Sequence, residues 1–206
     1  MLDKKQLLQE IETTYKNHKK IKEILKDFEY GINLNNWAYQ FTKEDFGKNI
    51  ELSRKLFHFT LSNASEFRDY IDFAKYISKN DGLSDNELAK EAYKLALSKV
   101  TLLRDLRNLA DILALKKDSF YDKDMAKEVY KEALLKTTSP YDYLCIAESL
   151  CNKDMLNDKV WAKEVYKLAI KASSNSDDLE AIAQSVALEE NLNDEEWSNK
   201  IFSMDI

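Results

Sequence analysis

Residues 89–97 read AKEAYKLAL, residues 126–134 read AKEVYKEAL and residues 162–170 read AKEVYKLAI. The leading alanines, Ala89, Ala126 and Ala162, stand 37 and 36 residues apart. The frame extends one period each way, to Ser53 in SRKLFHFTL and Ser198 in SNKIF. A large apolar residue precedes each small one: Leu52, Leu88, Met125, Trp161 and Trp197. An aromatic follows four later: Phe57, Tyr93, Tyr130, Tyr166 and Phe202. Spacings of three and four place these residues on one stripe of a helix. A small residue in that stripe lets a neighbouring helix approach closely, and the aromatic fills the space beside it. Internal repetition at such a period is the mark of a stack of supersecondary units.

The helix starts repeat as well. Asn49, Asp85, Asp122, Asp158 and Asp194 each lie four residues before the small position. Their side-chain oxygens suit N-caps, because they accept an otherwise unpaired backbone N–H. Leu83, Phe120, Leu156 and Leu192 come two residues before four of these caps and are expected to pin the loop onto the core. Gly47 takes that place in the first unit, with Phe46 beside it as a substitute.

A second helix type has its own small residue at Ala38, Ala74, Ala110, Ala147 or Ala183. Trp37, Phe73, Leu109, Ile146 or Ile182 precedes it. Caps are expected nine before the alanine, at Ser65, Thr101, Thr138 and Ser174. Pro140 falls in a first helical turn, where its missing N–H costs nothing. Residues 3–29 keep a helical stripe (Leu7, Leu8, Ile11, Tyr15, Ile21, Leu25, Phe28) and read as an N-terminal cap of one long helix or two short ones. A repeat stack needs such an atypical end to shield its last apolar face.

Composition agrees. The 206 residues contain only three Gly and one Pro, with 44% hydrophobic and 33% charged residues. Strand-rich and doubly wound folds need more turn residues than this. The expected fold is therefore all-α: a right-handed α-solenoid of about five antiparallel helical hairpins with an N-terminal capping helix. It forms a single domain over 1–206, with the cap over 1–31 and the repeats over 32–206.

These motifs resemble the tetratricopeptide superfamily and, within it, the Sel1-like branch, over residues 32–204. Leu179, Ile182–Ala183 and Val186 match the first-helix pattern, as do Tyr143, Ile146–Ala147 and Leu150. Ala162, Tyr166 and Ala169 match the small, aromatic, small pattern of the second helix. The unit is longer than the usual tetratricopeptide repeat of about 34 residues. Its loops carry Asp, Asn and Lys where Sel1-like loops carry Gly, and a HEAT-like stack stays open as the alternative. The resemblance implies a scaffold that binds a protein or peptide.

It also implies where the partner sits. In tetratricopeptide geometry the first helix of each hairpin lines the concave face. Positions one after the small residue, three before it and six before it would project into the groove. That set contains Tyr39, Arg68, Lys75, Arg104, Arg107, Asp111, Tyr141 and Glu148. Arg68, Lys75, Arg104 and Arg107 would form a basic patch on a chain whose net charge is −6. Arg and Tyr dominate binding hot spots, since they combine area with directed hydrogen bonds. The competing reading of these charges is a solvated face.

Other chemistry is hard to place here. The sequence has no Gly-rich phosphate loop, no G-x-S-x-G and no H-E-x-x-H. Its two histidines, His18 and His58, read as structural; His58 holds a slot that is Lys in three other repeats. Cys145 and Cys151 lack the four-ligand set that zinc prefers. They lie six apart on a helix, which does not suit a disulfide. Neither a cofactor nor a metal is expected, and the chain is read as no enzyme. The acidic balance argues against nucleic acid as partner. No run of about 18 apolar residues suggests a membrane span, and the charged N-terminus lacks the apolar stretch of a signal peptide. A reduced, cytoplasmic setting is expected.

Two functions fit these features. One is a non-catalytic protein–protein interaction module, an adaptor. The alternative is a dedicated inhibitor, of the immunity or antitoxin type, that blocks one basic enzyme. Residues 177–206 hold nine acids against a single base, Lys200, and could imitate phosphate to such an enzyme.

Overall fold

A computed structural model describes residues 9, 11, 13, 34–46, 48–117 and 120–204. Within them lie ten α-helices and no strand. The helices are α1 (Leu34–Gln40), α2 (Ile50–Asn63), α3 (Phe67–Ser78), α4 (Asn86–Lys99), α5 (Leu103–Ala114), α6 (Lys123–Lys136), α7 (Pro140–Cys151), α8 (Lys159–Ala172), α9 (Ser176–Ala187) and α10 (Glu195–Phe202). A short 3-10 helix, Glu44–Phe46, lies between the first two. The capping helix expected over 1–31 falls outside the described residues, apart from helical Gln9, Ile11 and Thr13, of which Ile11 is fully buried.

The chain divides into two compact units, Met1–Lys99 and Val100–Ile206. In the N-terminal unit α1 packs on α2 and α3 on α4, and α3 also meets α1 and α2. In the C-terminal unit α5 packs on α6, α7 on α8 and α9 on α10, and α9 also meets α7 and α8. Sequential helices thus pair as hairpins, as a helical-repeat chain requires.

The small residues sit where these paired helices touch. Ala89, Ala126, Ala162 and their counterparts Ala38, Ala74, Ala110, Ala147 and Ala183 are fully buried. Two serines mark the crossing directly. The Ser53 hydroxyl donates to the Ala38 carbonyl at 2.6 Å, and the Ser198 hydroxyl donates to the Ala183 carbonyl at 2.8 Å. A hydroxyl reaches a helix backbone only when the two axes run close, which a larger side chain at either position would prevent. Beside each crossing, Phe57, Tyr93, Tyr130 and Tyr166 are fully buried. Phe202, in the same slot of α10, is 51% exposed, with no later helix in the described chain to cover it.

All five expected caps of the second helices form. Asn49, Asp85, Asp122, Asp158 and Asp194 accept from the N–H groups of Leu52, Leu88, Met125, Trp161 and Trp197 at 3.0–3.1 Å. Four of the capping residues also donate backward. Their own N–H groups reach Ile77, Leu113, Leu150 and Val186 in the preceding helix, so each cap ties the end of one helix to the start of the next. Lys48, Ser84, Asn157 and Asn193, each just before its cap, take the left-handed conformation at φ of 50–56°. The third hairpin has one more residue in this loop, and Tyr121, just before its cap, does not take that conformation. The loop residues Phe120 and Leu156 are buried as expected, while Leu83 and Leu192 are half-buried.

The first-helix caps fall one residue later than the sequence suggests, at Glu66, Leu102, Ser139 and Asn175 rather than Ser65, Thr101, Thr138 and Ser174. Local chemistry explains three of the shifts. The Asp69 carboxylate accepts the Glu66 N–H. Pro140 occupies the first helical position and leaves Ser139 as the cap. Asn175 accepts the Asp178 N–H at 2.9 Å and displaces Ser174 from that role. Nothing comparable favours Leu102.

The second-helix caps carry a further load. The cation one place after the small residue reaches the capping Asp of the next hairpin: Arg54 to Asp85 at 3.1 Å, Lys127 to Asp158 at 2.9 Å and Lys163 to Asp194 at 2.8 Å. Tyr130 meets Trp161 edge-on, and Tyr166 meets Trp197 in the same way. Hydrogen bonds from these lysines hold the Asp158 and Asp194 carboxyls below the usual carboxylate range. A depressed carboxyl contributes stability that is complete above its unfolded pKa of about 3.9 and is lost as pH falls through the folded value. Asp158→Ala removes both cap and ion pair and is expected to cost about 1–2 kcal/mol at neutral pH. Asp158→Asn, which keeps a capping oxygen, is expected to cost less and to flatten the loss of stability below about pH 4. Chemical unfolding at pH 7 and pH 3.5 checks this; an Asn variant as acid-sensitive as the parent refutes it.

Candidate functional site

The first helices of the C-terminal unit carry five of the expected groove residues. Arg104, Arg107 and Asp111 are on α5, and Tyr141 and Glu148 are on α7. Three of them, Arg107, Asp111 and Glu148, line one cleft of about 670 Å³. Cys145 and Ser149 of α7 join them, and Leu188, Glu190 and Asn191 from the loop after α9 close one side. The repeat explains the placing. Asp111 and Glu148 each follow the buried alanine of their helix, Ala110 and Ala147.

Both carboxylates are held by hydroxyls that reach out of the core. The Tyr130 hydroxyl donates to Asp111 Oδ1 at 2.6 Å, and Ser149 adds a second hydrogen bond. Burial holds the Asp111 carboxyl above its usual range, while these two hydroxyls and the nearby Arg107 charge pull the other way. Burial and the Asp111 charge push the Tyr130 phenol far up, so it stays a donor. In the next hairpin the Ser185 hydroxyl donates to Glu148 Oε1 at 2.7 Å. Ser185 Oγ in turn accepts from the Tyr166 hydroxyl at 2.8 Å and from Asn191 Nδ2 at 2.9 Å. Each carboxylate is therefore fixed by a chain of neutral donors that begins at a core tyrosine.

The cations are held less closely. Arg107 Nη1 lies 3.9 Å from Asp142. Arg104 is largely exposed, with its Nε 3.6 Å from Asp105. Tyr141 is 66% exposed; its hydroxyl meets the Cys145 thiol, which holds the phenol above its ordinary value. The charges on the cleft wall are four carboxylates, Asp111, Glu148, Asp154 and Glu190, against two cations, Arg107 and Lys153. Asp154 is bridged to Lys117 at 3.2 Å. Where the sequence suggests a basic groove, this cleft has an acidic balance.

The remaining groove residues, Tyr39, Arg68 and Lys75, belong to the N-terminal unit. Tyr39 is already engaged. Its hydroxyl donates to Asp81, and its ring lies 4.0 Å below the Lys43 amine, 4.8 Å from that of Lys79 and 5.7 Å from Tyr76. Lys43 also pairs with Asp81 at 2.6 Å and holds that carboxyl low. Arg68 is exposed and Lys75 half-exposed, and neither forms an ion pair among the described residues. The cations from Arg68 to Arg107 are thus divided between the two units.

Ser149, Ser185 and Asn191 are not legible in the sequence as site residues. Two signals are available: Ser149 and Ser185 share a repeat position, two after Ala147 and Ala183, and the aromatic slot holds Tyr at 93, 130 and 166 but Phe at 57 and 202, with the Tyr130 and Tyr166 hydroxyls reaching the cleft residues. His58 is exposed, as its lysine slot suggests, and both cysteines are free thiols. Burial raises the Cys151 thiol to about 11, far from a reactive thiolate. Among the described residues no group of three or more His, Cys, Asp or Glu could hold a metal ion, and no helix is long and apolar enough to cross a membrane. Comparison with protein-family models, with curated proteins and with solved structures returned no match.

Proposed function

We propose that this chain is a non-catalytic interaction module, a right-handed solenoid of about five tetratricopeptide- or Sel1-like hairpins that holds a protein or peptide partner. One observation carries the reading. Asp111 and Glu148, at repeat-equivalent places on two first helices, wall a single cleft of about 670 Å³ together with Arg107. That volume falls within the usual range for ligand sites, roughly 300–1,000 Å³. The two free cysteines suit a reducing compartment, and we assign the module to the cytoplasm.

The test reverses charge on the cleft wall. Asp154→Lys/Glu190→Lys is expected to abolish capture of the partner from source cells. Its thermal midpoint is expected to fall by less than about 3 °C, because Glu190 is exposed and Asp154 makes only a surface ion pair with Lys117. Undiminished capture by this folded double variant would sink the reading. The acid excess of the cleft and of residues 177–206 favours the inhibitor form of the same idea, with a basic enzyme as target. A single stoichiometric partner in the captured material supports the inhibitor, and several weaker ones support the adaptor.

A further inference from the structure

We infer that the cleft of the C-terminal unit receives a cationic side chain, Arg or Lys, from a basic peptide segment, and that Asp111 and Glu148 are its two anchors. This inference rests on the interaction-module reading and names the partner's chemistry.

Three features lead to it. The first is the charge balance, four carboxylates against two cations. The cations neutralise the anchors only in part: the Arg107 charge acts on Asp111, but its guanidinium lies beside Asp142 and forms no salt bridge with Asp111, and Lys153 is exposed. The second is the manner in which the anchors are held. A half-buried carboxylate normally recovers its lost hydration from a bonded cation. Asp111 and Glu148 instead take hydroxyl donors, from Tyr130 and Ser185, and form no salt bridge among the described residues. Glu148 Oε2 has no hydrogen bond among the described residues. The negative charge is therefore oriented and only partly compensated, a condition in which an incoming cation still gains.

The third feature is the origin of the donors. Tyr130 and Tyr166 are fully buried, and their hydroxyls extend through the core to the cleft wall. Phenylalanine would fill the same slot, as it does at position 57, where the ring is also fully buried. The hydroxyls orient the two carboxylates without adding positive charge, which suits a cation supplied from outside. An open cleft of this size accepts a peptide side chain together with its backbone, whereas a bare ion would find no cluster of three carboxylates around it.

The probe is a fluorescently labelled hexa-arginine peptide, with hexa-glutamate as the control, read by anisotropy at low and at physiological salt. The wild-type chain is expected to bind hexa-arginine at one saturable site and more weakly as salt rises, and not to bind hexa-glutamate. Asp111→Asn/Glu148→Gln is expected to weaken binding by at least about tenfold, by analogy with loss of paired charges at interfaces. Glu128→Gln/Glu195→Gln removes the same charge from exposed positions outside the cleft and is expected to change the affinity by less than about twofold. Circular dichroism confirms the fold of each variant. Asp111→Asn keeps an oxygen for the Tyr130 hydroxyl, and Glu148→Gln alone serves should the double variant unfold. Absence of hexa-arginine binding, or equal losses in the two double variants, overturns the inference. Ser149→Trp, which fills the cleft, separates the two claims. If it abolishes partner capture while hexa-arginine fails to bind the wild-type chain, the interaction-module reading stands and the cationic anchor is wrong. If it leaves capture intact, the cleft itself is not the site.

Discussion

Tyr130→Ala is expected to lower the unfolding free energy by about 4 kcal/mol, and Tyr130→Phe by about 2 kcal/mol at pH 7. The alanine figure comes from the ring. It is fully buried and stands edge-on to Trp161 at 6.2 Å, so its loss opens a cavity between α6 and α8. The phenylalanine figure isolates the hydroxyl, which donates to Asp111 Oδ1 at 2.6 Å. Hydrogen bonds to charged groups contribute about 1.5–3 kcal/mol, and the carboxylate left behind keeps its burial cost. The pH dependence separates this account from simple loss of packing. Burial already raises the Asp111 carboxyl above its unfolded value. Such a group favours the folded state most below its unfolded pKa of about 3.9, and this contribution is lost as pH rises through the folded value. Without the Tyr130 donor the folded value rises further. The penalty of Tyr130→Phe should therefore be larger at pH 7 than at pH 4. The Asp158 and Asp194 contributions run in the opposite direction, but they are common to both proteins and cancel in the difference. Urea titrations of the two proteins at both pH values decide the matter: a pH-independent difference would mean that Asp111 and Tyr130 are not coupled.

The parts of this molecule that are legible in its sequence are those in which one residue type answers one local demand. A capping Asp, a buried alanine and an aromatic four places later each act within one helix or one helix pair, and the period repeats that demand five times. Three of the four first-helix caps shift by one residue because a Glu, Pro or Asn close to the expected Ser or Thr competes with it, and at two of them the winner depends on a side chain further into the helix, Asp69 or Asp178. The site is less legible for a different reason. Counting charges along the sequence places Arg104 and Arg107 in a basic patch. The cleft instead collects Asp154 and Glu190 from the loops after α7 and α9, each seven residues past a buried alanine, at a place that holds Lys117 in the preceding unit. Likewise the Ser185 hydroxyl matters through Tyr166 and Glu148, which lie 19 and 37 residues away. The hydroxyl chains do repeat, since Tyr130 and Tyr166, Ser149 and Ser185, and Asp111 and Glu148 hold equivalent places, but their links join residues of different helices and show only once the hairpins are packed.

The helix crossing itself yields the second large effect. Ala162→Leu is expected to cost about 3 kcal/mol, at the upper end for overpacking, whereas Ala162→Ser is expected to stay within about 0.5 kcal/mol of the parent. Ala162 is fully buried in α8 and stands 15 residues after Ala147 in α7. The same separation joins Ser53 to Ala38 and Ser198 to Ala183, where a serine hydroxyl reaches the opposite backbone carbonyl. Those bonds measure how little space the crossing leaves: an oxygen fits in hydrogen-bond contact with the facing helix, and three further carbons do not. Leucine at 162 must push α8 away from α7. That motion strains the Asp158 N–H bond to the Leu150 carbonyl at 2.8 Å and the Lys163 pair with Asp194, so the damage extends to the next hairpin. Serine at 162 has the opposite prospect. Its weaker helix propensity, about 0.5 kcal/mol, is offset by a new bond to the Ala147 carbonyl of the kind the two outer hairpins already make. Thermal unfolding of the pair, with amide exchange at Leu150 and Asp158, measures both effects. Equal damage from Ser and Leu would show that polarity rather than volume limits this position, and a harmless Leu would show that the helices do not meet there.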